Sequence, residues 1–95
     1  MKLTEIAEGI NKHLQRFAKD PEINKVDSYG CHEYFYPRAY AAGRFIYVSY
    51  VTYQGKRRLS KEKAESYLEA LDKGFVGTQY QWERQNDEVG KGNPG

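Results

Sequence analysis

The stretch Gly43 to Gly55, GRFIYVSYVTYQG, is apolar or aromatic at most positions, in a chain whose mean hydropathy is −0.90. Its density of β-branched and aromatic residues marks it as a strand. Successive strand side chains point to opposite sides. One set is therefore Ile46, Val48, Tyr50 and Thr52, and the other is Phe45, Tyr47, Ser49, Val51 and Tyr53. Both sides call for cover, and a chain of 95 residues has helices enough to bury one. The uncovered side is then an aromatic surface of the kind that meets a partner.

The rest of the chain supplies those helices. Leu3, Ile6, Ile10, Leu14 and Phe17 recur at spacings of three and four, which makes Leu3 to Lys19 an amphipathic helix. Thr4 is its expected cap, Glu5 and Glu8 suit its first turns, and Arg16 and Lys19 suit its end. Asp20-Pro21-Glu22 starts a short helical turn that ends near Lys25. Cys31 to Tyr36, CHEYFY, reads as a strand stopped by Pro37, and Ala39 to Gly43 as the connection to a strand over Arg44 to Tyr53. Lys56 to Leu59 is a short third strand. Ser60 caps a second helix, Lys61 to Lys73, with Ala64, Tyr67, Leu68 and Leu71 on one face and Gly74 at its end. Phe75 to Trp82 docks on the core or adds a fourth strand. Composition then thins to a disordered tail over 86–95, leaving one domain over 1–85.

This order predicts a small two-layer α+β domain: helix, antiparallel sheet of two to four strands, helix. Ile46, Val48 and Tyr50 match the helix stripes and belong under them. Phe45, Tyr47, Val51 and Tyr53 then face outward, joined by His32, Tyr34 and Tyr36 from the neighbouring strand.

Chemistry finds little to work with. Cys31-His32-Glu33 invites a metal, yet neighbours on a strand point apart and no CxxC or HxxxH spacing occurs, so no metal site is expected. The same geometry separates a Cys–His catalytic pair. Gly74 and Gly77 flank a helix end, whereas a phosphate cradle needs a helix start. The acids Glu62, Glu65 and Glu69 lie on the solvent side of the second helix. No enzyme activity and no cofactor follow from these residues. A single cysteine, no apolar run near the ~18 residues of a membrane span and no leader pattern point to a cytoplasmic protein.

Binding is the remaining class. Lysine and arginine number 15 against 13 acids, so the net charge of +2 suits neither a duplex-coating protein nor an acidic mimic of nucleic acid. Locally, however, five of the eight residues from Lys56 to Lys63 are basic and follow the aromatic strand directly. Tyrosine and arginine are enriched at protein-binding hot spots. Phe45, Tyr47, Val51, Tyr53, Tyr34, Tyr36, Arg57 and Arg58 are therefore the candidate contact residues for a protein partner. Stacking aromatics beside cations also suit single-stranded nucleic acid, the alternative reading. An uncovered sheet face can instead pair with a second copy of itself.

Two resemblances bear on this choice. Phe45 to Tyr50, FIYVSY, resembles half of the aromatic strand motif of RNA-recognition domains, but Gly43-Arg44 reverses the basic–glycine order of that motif and no strand precedes the first helix. No RNA-binding residue is carried over. Over residues 3–82 the chain resembles, in its format of leading helix, tyrosine-bearing meander and closing helix, the small accessory proteins of phages and mobile elements, anti-CRISPR proteins among them. That resemblance implies a cytosolic, non-catalytic module that occupies a surface of a host defence complex.

Overall fold

A computed structural model describes the backbone of residues 1–50 and 57–92 and the side chains of 1–50 and 57–85. Helix α1 (Leu3–Lys19) is followed by strands β1 (Arg38–Ala42), β2 (Phe45–Ser49) and β3 (Arg57–Leu59), then helices α2 (Lys61–Asp72) and α3 (Gln79–Gly92). The strands form an antiparallel sheet in the order β1-β2-β3, with α1 and α2 against one face. The chain is a small α+β domain, as its periodicities predict.

The expected stripe of α1 is fully buried: Ile6, Ile10, Leu14 and Phe17, joined by Ala7. Its cap is Lys2, two residues before the expected Thr4, because the Glu5 carboxylate three residues on accepts the Lys2 N–H at 2.9 Å. It stops at Lys19 because Asp20 is extended, the conformation favoured before proline. Ser60 caps α2 as expected, its hydroxyl accepting the Lys63 N–H at 3.2 Å. Ala64, Tyr67, Leu68 and Leu71 turn inward. Gly9 lets the two helices approach closely, since a methyl group there would stand 2.9 Å from Leu68.

The register of β2 is the one its hydrophobic pattern demands. Ile46, Val48 and Tyr50 are buried, opposite Leu59 and Ala39 on the neighbouring strands, and together with the helix stripes they form one core. The residues Val51 to Lys56, with the expected outer positions Val51 and Tyr53, lie outside the described residues.

Two elements differ from expectation. Cys31 to Tyr36 is not a strand: it makes one bridge, Val26 to His32, and then bends. Asn24 explains the difference. Its buried side chain accepts the Tyr34 N–H at 2.8 Å and donates to the Tyr34 carbonyl at 3.4 Å, which occupies the two groups a ladder would need. The strand beside β2 is instead Arg38–Ala42, where a connection was expected. Its inward residues Ala39 and Ala41 are small enough for α1 to lie close, and Asn11 of α1 accepts the Ala39 N–H at 3.2 Å. β1 and β2 are joined by Gly43-Arg44 alone, and the left-handed φ this tight turn requires, +61°, falls on Gly43.

Phe75 to Trp82 docks and then starts α3. Thr78 and Gln81 cap that helix reciprocally, each accepting the other's backbone N–H. α3 continues to Gly92 and so takes in most of the segment that composition marks as tail, while 93–95 lie outside the described residues. Tyr50, Tyr67 and Gln79 tie the layers together. The Gln79 N–H donates to the Tyr50 hydroxyl at 2.6 Å, that hydroxyl donates to Tyr67 at 3.1 Å, and Tyr67 donates to the Gly77 carbonyl at 2.8 Å.

Candidate functional site

The face of the sheet turned away from the helices is read off the register. β1 places Arg38, Tyr40 and Ala42 there, β2 places Phe45, Tyr47 and Ser49, and β3 adds Arg58 opposite Tyr47. Two of the rings touch one another. Tyr40 and Tyr47, direct cross-strand partners, stack with centroids 5.5 Å apart and planes 18° from parallel. Arginines lie on two of the rings: the Arg38 guanidinium is 4.9 Å from the Tyr40 centroid, and that of Arg58 is 4.3 Å from the centroid of Phe45. Both arginines are exposed, while Tyr40, Phe45 and Tyr47 are half-buried.

A guanidinium stacked on a ring keeps its N–H groups in its own plane, so the ring braces the cation without using its donors. The rows Arg38–Ala42, Phe45–Ser49 and Arg58 contain no acid. The face is thus a braced aromatic platform with cations on its outer strands.

Of the eight contact residues proposed from sequence, Phe45, Tyr47 and Arg58 come together on this face, while Val51 and Tyr53 lie outside the described residues. Arg57 is on the other side of β3. It lies 4.8 Å over the Tyr80 ring and 3.8 Å from the Glu83 carboxylate, because its neighbour Arg58 takes the outward position. Tyr34 is a core residue, 3 % exposed, packed edge-on between Phe17 at 5.5 Å and Tyr50 at 5.9 Å. Tyr36 and His32 are exposed but belong to the loop before β1. Sequence reasoning missed Arg38 and Tyr40. The signal was the alternation of Arg38, Tyr40 and Ala42 with the small residues Ala39 and Ala41.

Other groups with chemical potential are dispersed. Among the described residues no three of His, Cys, Asp and Glu converge on one point. Cys31 is an exposed free thiol. His13 joins Asp72 at 2.8 Å and Arg16 at 3.0 Å, a tie between the ends of α1 and α2. A cavity of about 500 Å³ beside the start of α3 is lined by Glu33, Thr78, Tyr80, Gln81 and Arg84. Burial pushes the Glu33 carboxyl above the usual carboxylate range there. The buried hydroxyls of Tyr34, Tyr50 and Tyr67 are likewise held protonated above the ordinary tyrosine range, chiefly by loss of solvent. No helix among the described residues is long and apolar enough to cross a membrane. Comparison with protein-family models, with curated proteins and with solved structures finds no match.

Proposed function

We propose that this chain is a non-catalytic binding module that holds a protein partner against the open face of its sheet. One observation carries the reading: Tyr40, Phe45 and Tyr47 form a preassembled patch to which Arg38 and Arg58 are already fitted, with no acid among them. Side chains stacked before binding lose little conformational freedom on binding, and aromatic and arginine side chains dominate protein-interface energetics. The partner surface is acidic, so that its carboxylates meet the in-plane donors of the two guanidinium groups. The module works in the cytoplasm and acts by occupying a surface, the mode of an inhibitor of a host defence complex.

Single-stranded nucleic acid is the second reading, favoured by the same absence of acids and by the basic run from Lys56 to Lys63. Against it, Arg38 and Arg58 already lie over two of the rings on which bases would stack.

Affinity capture with the purified protein, run with and without nuclease, separates the two. The expected result is a protein retained after nuclease treatment and lost when both Arg38→Glu and Arg58→Glu are introduced. Recovery of nucleic acid alone, with binding that collapses as salt rises, supports the second reading and removes the first. Light scattering of the isolated protein identifies pairing with a second copy.

A further inference from the structure

The cavity beside the start of α3 sets two opposite charges around one space without joining them. Of its lining residues Glu33, Thr78, Tyr80, Gln81 and Arg84, only Glu33 and Arg84 are charged. Among the described residues, ion pairs join His13 to Asp72, Arg57 and Lys63 to Glu83, and Lys73 to Glu69. Neither Glu33 nor Arg84 takes part in any of them. A guanidinium in contact would hold a carboxyl below its ordinary range, whereas loss of solvent moves Glu33 above it. The two groups therefore line the same cavity and leave each other's charge uncompensated.

The walls hold both groups in place. The Glu33 N–H donates to the Lys25 carbonyl at 3.2 Å, and the next residue, Tyr34, is fixed in the core by Asn24. Arg84 follows Tyr80 by four residues on α3, so the two share one side of that helix. The Tyr80 ring is itself packed, 6.2 Å from the ring of Tyr50 and 4.8 Å from the Arg57 guanidinium. The neutral polar residues of the lining engage each other: Gln81 Oε1 accepts the Thr78 N–H at 2.8 Å, and Thr78 Oγ1 accepts the Gln81 N–H at 3.2 Å. Glu33 and Arg84 are left as the groups to which a ligand can answer.

Their opposite signs define that ligand. A half-buried carboxyl without a partner costs stability, and a group so placed in a cavity is where a ligand restores the balance. A simple anion in this space would be drawn to Arg84 and repelled by Glu33, and a simple cation would meet the reverse. A molecule carrying both charges satisfies both walls. At about 500 Å³ the cavity has room for an amino acid or a short peptide. We propose that it binds a small zwitterion of the amino-acid or short-peptide class, its carboxylate on Arg84, its ammonium on Glu33 and the rest of the molecule against Tyr80. The site shares no residue with the open sheet face.

Amide chemical-shift titration of the isotope-labelled full chain tests this, with the free amino acids, glycylglycine and triglycine as probes. The expected result is saturable shifts at Glu33 and along 78–84 with at least one probe. Its N-acetyl and methyl-ester forms, each lacking one charge, should bind at least about tenfold more weakly, and so should the unmodified probe to Glu33→Gln and to Arg84→Gln. Arg84 is exposed, so Arg84→Gln should leave the thermal midpoint unchanged and its loss of binding reads the site and not the fold. The proposal is overturned by the absence of a saturable shift with every probe, by shifts confined to other residues, by acetate or methylammonium binding as well as the zwitterion, or by undiminished binding to Arg84→Gln.

Discussion

The two faces of the sheet come from the same three strands and alternate residue by residue, yet they solve the problem of tyrosine in different ways. On the inner face the Tyr50 hydroxyl is sealed into a chain with Tyr67, Gln79 and Gly77, and every link crosses between structural elements. On the outer face Tyr40 and Tyr47 pack ring on ring, with the Arg38 guanidinium over Tyr40. Inside, the aromatic ring is core and its hydroxyl is a structural obligation. Outside, the ring of Tyr40 supports a cation. A substitution should therefore damage folding in proportion to how far it reaches toward the helices.

The largest effect is expected at Ile46, fully buried at the centre of the inner face. Ile46→Ala removes core volume that neighbours refill only in part and should cost about 2 to 5 kcal/mol, read as a fall in the urea midpoint at unchanged slope. A cost below about 1 kcal/mol would mean that the two faces had been assigned the wrong way round. Next comes Tyr50→Phe, which keeps the ring but removes the acceptor for the Gln79 N–H and the donor to Tyr67. Leaving a buried amide unpaired should cost about 1 to 3 kcal/mol. An unchanged midpoint would show that water or another group meets the amide.

The inner tyrosines also carry a pH signature. Burial raises the pKa of Tyr34, Tyr50 and Tyr67 above the value of about 10 that each has in the unfolded chain. Above that pH the unfolded chain releases protons that the folded chain keeps, so it is the unfolded state that gains. Their contribution is thus intact below about pH 10 and is lost as pH climbs beyond it, by up to about 1.4 kcal/mol per pH unit for each group. Urea midpoints measured across the alkaline range should fall steeply from there, with phenolate absorbance from these residues appearing only as the protein unfolds. Early ionisation of all nine tyrosines without unfolding contradicts the sealed inner face.

How much of this was legible depended on whether local pattern or a distant side chain decided the outcome. α1, α2 and the register of β2 follow from apolar spacing, because each buries a stripe whose period is set by its own backbone. β1 was hidden because its inward residues, Ala39 and Ala41, are small where a strand signal is bulky. The loop before it was misread for the opposite reason: CHEYFY has the composition of a strand, and only Asn24, ten residues from Tyr34, withdraws the groups a strand would pair. The platform was half visible in Phe45, Tyr47 and Arg58. Arg38 and Tyr40 went unseen with β1, and which of Arg57 and Arg58 joins the platform was not legible because the phase of β3 is fixed by pairing and not by its own three residues.

The smallest effect on stability, and the largest on binding, is expected from the pair Tyr47→Ser and Arg58→Ser. They are cross-strand partners on the outer face, and neither contributes to the buried core. Removing Arg58 uncovers the Phe45 ring and loses one partly solvated cation–π contact, about 0.5 to 1 kcal/mol. Losing the Tyr47 ring forfeits its stack on Tyr40, a term of about 0.5 to 1.5 kcal/mol that solvent exposure places at the low end. The double variant should therefore unfold within about 2 kcal/mol of the parent, with the inner-face alkaline transition unmoved, while capture of the partner disappears. Because the two side chains are neighbours, their effects on binding should not add, and a double-mutant cycle against the purified partner reads that coupling directly. Additive losses would mean that ring and cation meet the partner independently, which removes the preassembled platform as the reason for binding even if the face itself remains the site.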